Sequence, residues 1–180
     1  MDITGYIKYY TNIVPADLCE RIVNKNFIYE PSSYSTHDSG KIVKENRVSS
    51  EDVWIRKDHQ FYQALHTCYN ESIKHYREDF PDFNVQHLTD FRISKYTVGG
   101  FMSEHTDNIH HSHGQKWGYP QVTVLLFMND DYEGGEIVIA NKRFWTSKGS
   151  AIVFPSNFMF PHEVLQVTEG ERYSVTCWLM

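Results

Sequence analysis

The spacing of apolar residues along this chain changes once, near Pro81. Before it, two stretches repeat their apolar positions at three- and four-residue steps. In "VPADLCERIVNKN" (14–26), Leu18, Ile22 and Val23 share one helical face, with Pro15 where a first turn tolerates a missing N–H. From 58 to 76, Phe61, Leu65, Cys68, Tyr69, Ile73 and Tyr76 recur in the same way. That spacing predicts an amphipathic helix packed by its apolar stripe, with Asp58 as its cap. Between the two, "YEPSSYSTHDSGKIVKENRVSS" (29–50) is rich in Ser, Gly and charge and predicts a loop holding one short strand at most.

After Pro81, short runs of β-branched and aromatic residues alternate with Gly, Asn, Asp and Pro. Strands are expected at 90–97, 101–107, 121–129, 136–140, 143–148, 151–155, 162–167 and 172–179. Eight short strands without intervening helices predict a mainly β sandwich or jelly roll rather than a parallel sheet, flanked by the N-terminal α-helices. The expected organisation is a single domain over 1–180, with 1–85 as mainly helical support and 86–180 as the jelly-roll core.

Composition narrows the function classes more than the fold. The 180 residues are enough to bury a real core. Asp and Glu number 23 against 17 Lys and Arg, a net charge of −6, so no long-range attraction gathers the chain around a polyphosphate and no nucleic-acid partner is expected. A small acidic substrate still fits if one cation stands in a pocket. Cys19, Cys68 and Cys177 are far apart and form no C-x-x-C pair, so neither a disulfide framework nor a thiolate zinc site is indicated. The opening "MDITGYIKYYTNIVP" lacks the apolar run of a signal peptide, and no later stretch is long enough to span a bilayer. The expectation is a soluble, cytoplasmic chain with no membrane partner.

The stretch "SEHTDNIHHSHG" (103–114) packs four histidines and an aspartate into twelve residues. On a strand, residues two apart point the same way, so His105 and Asp107 can grip one cation from one face. His162 opens the seventh expected strand after "FPSNFMFP", and in a jelly roll the second and seventh strands can lie side by side. Two histidines and one carboxylate on one side of an ion are the donor set of non-haem Fe(II) oxygenases. From spacing alone, satisfied core and loop histidines remain the alternative. His110, His111 and His113 sit among Asn, Ser and Gly and are expected in a solvated loop at the cavity mouth.

On the last strand, Arg172, Ser174, Thr176 and Trp178 share one face. An arginine on an inward face is costly unless an anion meets it, and its planar fork suits a carboxylate. Ser174 can add a hydroxyl and Tyr96 a phenol. The alternatives are a buried pair with Glu104 or Glu163, or an arginine facing solvent.

Together, H-x-D (105–107), His162 and R-x-S (172–174) resemble the Fe(II)/2-oxoglutarate-dependent oxygenases of double-stranded β-helix fold, and more narrowly their prolyl 4-hydroxylase-like branch. "YTVGGFMSEHTDN" (96–108), "VTVLLFMNDDYEGGEIVI" (122–139), "KGSAIVFPS" (148–156) and "PHEVLQVTEGERYSVTCWLM" (161–180) are similar to that branch's successive elements. The resemblance implies Fe(II) held by His105, Asp107 and His162, and the distal carboxylate of 2-oxoglutarate received by Arg172 with Tyr96 and Ser174. Trp178 would wall the pocket. It also implies dioxygen as co-substrate, L-ascorbate as reductant, and hydroxylation of a prolyl residue in a peptide or protein. Loops 29–50 and 108–119 would close over an extended chain. Phe127 stands where many relatives carry tyrosine, Ile137 where many carry threonine, and Met102 where an aromatic is frequent. A free amino acid or other small metabolite is the alternative substrate class, and a non-catalytic jelly-roll binding module a further one. Nucleic-acid demethylases of this fold carry a second arginine six residues after the first, where this chain has Trp178.

Overall fold

The computed structural model describes residues 2–35, 42–43, 47–84, 87–108 and 118–180. His37, His110, His111 and His113, and most of the loops expected to close over substrate, lie outside them.

Two antiparallel sheets carry the fold. The larger runs, edge to edge, through Lys8–Tyr10, Ala151–Pro155, Val122–Phe127, Arg172–Leu179, Phe91–Tyr96, Glu51–Ile55 and Glu30–Pro31. The smaller runs through Lys142–Phe144, Ile137–Ile139, His162–Val164, Phe101–His105 and Val48–Ser49. The helices are Ala16–Val23 and Tyr62–Asp79.

The Arg172–Leu179 strand sits in the middle of the large sheet and is buried at all eight positions. Since its side chains alternate between faces, it serves two interiors. Tyr173, Val175, Cys177 and Leu179 join a core with Leu18 and Ile22 of the first helix and Leu65 and Ile73 of the second. A second core takes Leu125, Phe127, Ile152 and Phe154 from the large sheet and Ile137 and Ile139 from the small one, so it lies between the sheets. The cavity described below opens beside this second core.

Several expectations change. Residues 1–85 carry both helices and also contribute strands: Lys8–Tyr10, Glu30–Pro31 and Glu51–Ile55 extend the large sheet, and Val48–Ser49 extends the small one. Strand formation at 51–55 depends on its partner, Phe91–Tyr96, which satisfies its backbone over five registered pairs. Asp58 does not cap the second helix. That helix starts at Tyr62 with Phe61 at its N-cap and no side-chain cap, and runs to Asp79. His59 serves the entry instead, its Nδ1 accepting the Phe61 N–H at 3.2 Å and its carbonyl the Tyr62 N–H at 2.9 Å. The strand expected at 101–107 ends at His105, and the stretch 162–167 divides into His162–Val164 and a separate Val167–Glu169 paired with Glu133–Gly134. Among the described residues, no helix is long and apolar enough to cross a membrane.

Leu65, fully buried where the second helix meets the large sheet, tests this arrangement. Leu65→Ala is expected to lower stability by about 2–5 kcal/mol through the cavity it leaves, read from the denaturant midpoint.

Candidate active site

His105 and His162 are direct cross-strand partners in the small sheet, and their ring centres lie 4.2 Å apart. Asp107 follows two residues after His105, in the bend that ends the strand rather than on the strand. The bend still turns its carboxylate inward. Its Oδ1 lies 3.5 Å from His105 Nε2 and its Oδ2 lies 3.4 Å from His162 Nε2. One donor atom from each of the three falls within 4.8 Å of the others, so a single cation can be held among them.

Hydrogen bonds behind the site decide which atoms face the ion. His105 Nδ1 lies 2.9 Å from the Ser103 carbonyl and His162 Nδ1 lies 3.1 Å from the Phe160 carbonyl. A carbonyl only accepts, so both Nδ1 atoms carry hydrogen and Nε2 of each ring faces Asp107, an N–H donor when the ring is protonated and a lone pair for a metal ion once that proton is gone. Thr123 Oγ1 donates to Asp107 Oδ2 at 2.7 Å. Its one proton is then used, so the 2.7 Å contact with Ser156 Oγ has Ser156 as donor. This donor set fits a divalent ion.

The electrostatics match. Burial works to raise the Asp107 carboxyl, but the His162 charge and hydrogen bonds from both imidazoles hold it well below the usual carboxylate range. Burial, then the neighbouring His162, push His105 down. Burial also opposes protonation of His162, yet the Asp107 charge leaves it raised. Two imidazoles competing for one carboxylate make a site where a dication replaces a shared proton.

Across the cavity, on the large sheet, stands Arg172. It is 1% exposed, and its guanidinium sits 5.1 Å from the Tyr96 ring centre and 5.4 Å from that of Phe127. One Nη donates to Ser174 Oγ at 3.0 Å, and the buried Nε has no hydrogen-bond partner among the described residues. Neither Glu104 nor Glu163 pairs with it. Arg172 is registered opposite Tyr96, whose phenol is pushed up by burial against the pull of Arg172 and so stays a donor. Gly135, at φ +64°, explains the close packing here: a Cβ on it would come 2.9 Å from Arg172 Cδ.

Trp178 shares the face of Arg172, but it does not line the cavity. Its indole lies under another arginine, Arg92, 4.9 Å from that guanidinium. Phe127 and Ile137 place hydrocarbon where a tyrosine and a threonine would each offer a hydroxyl; both are fully or nearly fully buried. Sequence reading missed Thr123, Ser156 and Arg92, and placed Thr176 on the inward face without a role. The period-two alignment of Arg92 with Ser94 and Tyr96 was a usable signal; that of Thr123 with Asp107 was not, since it depends on how two segments pack.

A His-Asp-His cluster able to hold a metal ion, facing a buried guanidinium that has no acid partner among the described residues, matches the donor set of the non-haem iron oxygenases. The chain belongs to the 2OG-Fe(II) oxygenase superfamily, whose family model matches residues 91–180. The cofactor set of that family is Fe(II), 2-oxoglutarate and dioxygen. A PKHD-type hydroxylase of Thermosynechococcus vestitus is 35% identical over 93 residues, covering 48% of this chain and 41% of the relative. One from Rippkaea orientalis is 36% identical over 93 residues, covering 48% and 40%. The chain thus spans about two fifths of the length of these curated relatives. The fold is similar to a viral collagen prolyl hydroxylase of Paramecium bursaria Chlorella virus-1, solved with 2-oxoglutarate, at TM-score 0.73 and 15% identity over 99% of this chain and 98% of that one. It is also similar to a Trichoplax adhaerens prolyl hydroxylase in complex with a hypoxia inducible factor peptide, at TM-score 0.76 and 18% identity over 98% and 84%.

Thr123→Val removes the hydroxyl that orients Asp107 at nearly constant volume. It is expected to weaken Fe(II) binding about 10–100-fold, measured by anaerobic metal titration.

Proposed function

We propose that this chain is an Fe(II)- and 2-oxoglutarate-dependent dioxygenase that hydroxylates a prolyl residue in a peptide or protein. His105, Asp107 and His162 hold the iron, and Arg172 receives the far carboxylate of 2-oxoglutarate. The two sheets are read as the walls of a double-stranded β-helix, with residues 1–180 acting as one oxygenase domain. The single observation that carries the reading is Arg172: a buried cation with no counter-charge among the described residues, facing the same cavity as the three candidate ligands.

When bound, iron, 2-oxoglutarate and dioxygen together supply the oxidising chemistry. The chain supplies position. All three donors come from one wall, so the opposite side of an ion held there stays open to the cavity. Asp107 contributes a full negative charge because its environment keeps it ionised. Arg172 has donors left after its bond to Ser174, enough for a two-point grip on a carboxylate. The Tyr96 phenol stands beside it as a further donor, in place of the hydroxyls that Phe127 and Ile137 cannot offer. The apolar core between the sheets backs the pocket.

The prolyl assignment is supported by the fold likeness to prolyl hydroxylases and by the PKHD-type relatives. L-ascorbate is the proposed reductant. Mass spectrometry of a Pro-rich peptide library after incubation with Fe(II), 2-oxoglutarate, ascorbate and air is expected to show addition of one oxygen atom; its absence across the library, with 2-oxoglutarate still consumed, removes the prolyl substrate.

Asp107→Ala is expected to abolish 2-oxoglutarate decarboxylation, and wild-type turnover in that variant would take Asp107 out of the ligand set. Arg172→Ala is expected to weaken 2-oxoglutarate by about 2–5 kcal/mol, the cost of truncating one side of a buried charge pair. Anaerobic titration of the metal-to-keto-acid absorption band measures it.

A further inference from the structure

The cavity holds a second guanidinium that the keto acid does not use. Arg92, on the Phe91–Tyr96 strand, lines the same cavity as the three candidate ligands and Arg172. Strand register sets it opposite Thr176 on one side and Trp54 on the other, two same-face rows along from the Tyr96–Arg172 pair. The two arginines therefore occupy different ends of one wall.

Their surroundings differ. Arg172 is 1% exposed, whereas the Arg92 side chain is 21% exposed, beside a Trp54 that is 44% exposed. Arg172 marks the deep end and Arg92 the end nearer solvent. The charge on Arg92 is poorly answered. Asp52 lies 3.9 Å from its Nε, a long ion pair, and Arg92 Nε and Asp52 Oδ1 are both buried with no hydrogen-bond partner among the described residues. Meanwhile the guanidinium is held over the Trp178 ring at 4.9 Å, a contact that fixes its plane without using its N–H groups. A purely structural ion pair would close to hydrogen-bonding distance. This one leaves a preorganised fork with open donors facing the cavity.

We infer that Arg92 is a specificity-determining residue that receives a carboxylate of the substrate, so that the carbon to be oxidised lies close to an acid group. The inference rests on the oxygenase reading and sharpens its substrate class. Two molecules offer this chemistry: a free amino acid, through its α-carboxylate, or a peptide with an acidic residue beside the target. The deeper, more enclosed Arg172 takes the co-substrate, and the outer Arg92 meets what enters after it.

The test uses the holoprotein with Fe(II) and 2-oxoglutarate under anaerobic conditions, where substrate binding perturbs the absorption band. Two matched pairs are titrated. The first is L-proline against L-prolinamide; the second is a blocked Pro-containing peptide with Glu beside the proline against the same peptide with Gln. The wild type is expected to bind the carboxylate member of one pair about 10–100-fold more tightly, the worth of a charge-assisted contact. Whichever pair shows it identifies the source. Arg92→Gln is expected to bring that preference within about twofold. Asp52→Asn, which removes the competing carboxylate, is expected to move it several-fold in the opposite direction.

No carboxylate preference in the wild type, or a preference that survives Arg92→Gln, overturns the inference. So does a tenfold or greater weakening of 2-oxoglutarate in Arg92→Gln, which would assign this arginine to the co-substrate. If the wild type gives no absorption band with Fe(II) and 2-oxoglutarate, the oxygenase reading falls first and takes the inference with it.

Discussion

A guanidinium sealed between two sheets, with no carboxylate beside it among the described residues, is the constraint around which this molecule is arranged. Burying such a charge costs several kcal/mol unless an anion completes it. The fold bears that cost at Arg172 by framing the group with two aromatic rings, a serine hydroxyl and a glycine that leaves room for its stem. The same sheet face then carries the rest of the cavity wall, while the small sheet brings the two imidazoles and the aspartate to the other side. The proposed anion receiver and the candidate cation site face each other because the strands bearing them belong to opposite sheets.

The central Arg172–Leu179 strand ties this chemistry to stability. One face of it packs on both helices; the other presents the polar residues of the cavity. Neither helix contributes a residue to the cavity lining, but both close the apolar face that the strand could not otherwise bury. Residues 1–85 do more than buttress, since four of their strands also extend the two sheets.

Much of this was legible in the chain. Ala151–Pro155 and Arg172–Leu179 appear with the bounds their composition suggested: Gly149-Ser150 and Ser156-Asn157 bracket the first, and Gly170 precedes the second. The H-x-D pair, the distant His162 and the inward Arg172 also fall where spacing placed them, although Asp107 reaches the site from a bend. Glu51–Ile55 was not legible: it is a strand because Phe91–Tyr96 lies beside it, a fact no local pattern contains. Thr123 and Ser156 were hidden for the same reason, being neighbours of Asp107 only through the packing of three segments. The Asp58 cap failed because a histidine one residue later supplied the acceptor.

Each of the two imidazoles is aimed by a main-chain oxygen two residues before it, Ser103 for one and Phe160 for the other. Main-chain oxygens are common to all twenty amino acids. The side chain of Ser103 is therefore silent in aiming the ring, and Phe160 is held by the apolar interior it fills rather than by the histidine it aims. A substitution that leaves the path of the chain unchanged leaves ring alignment intact, so that alignment rests on the path of the chain and not on its spelling.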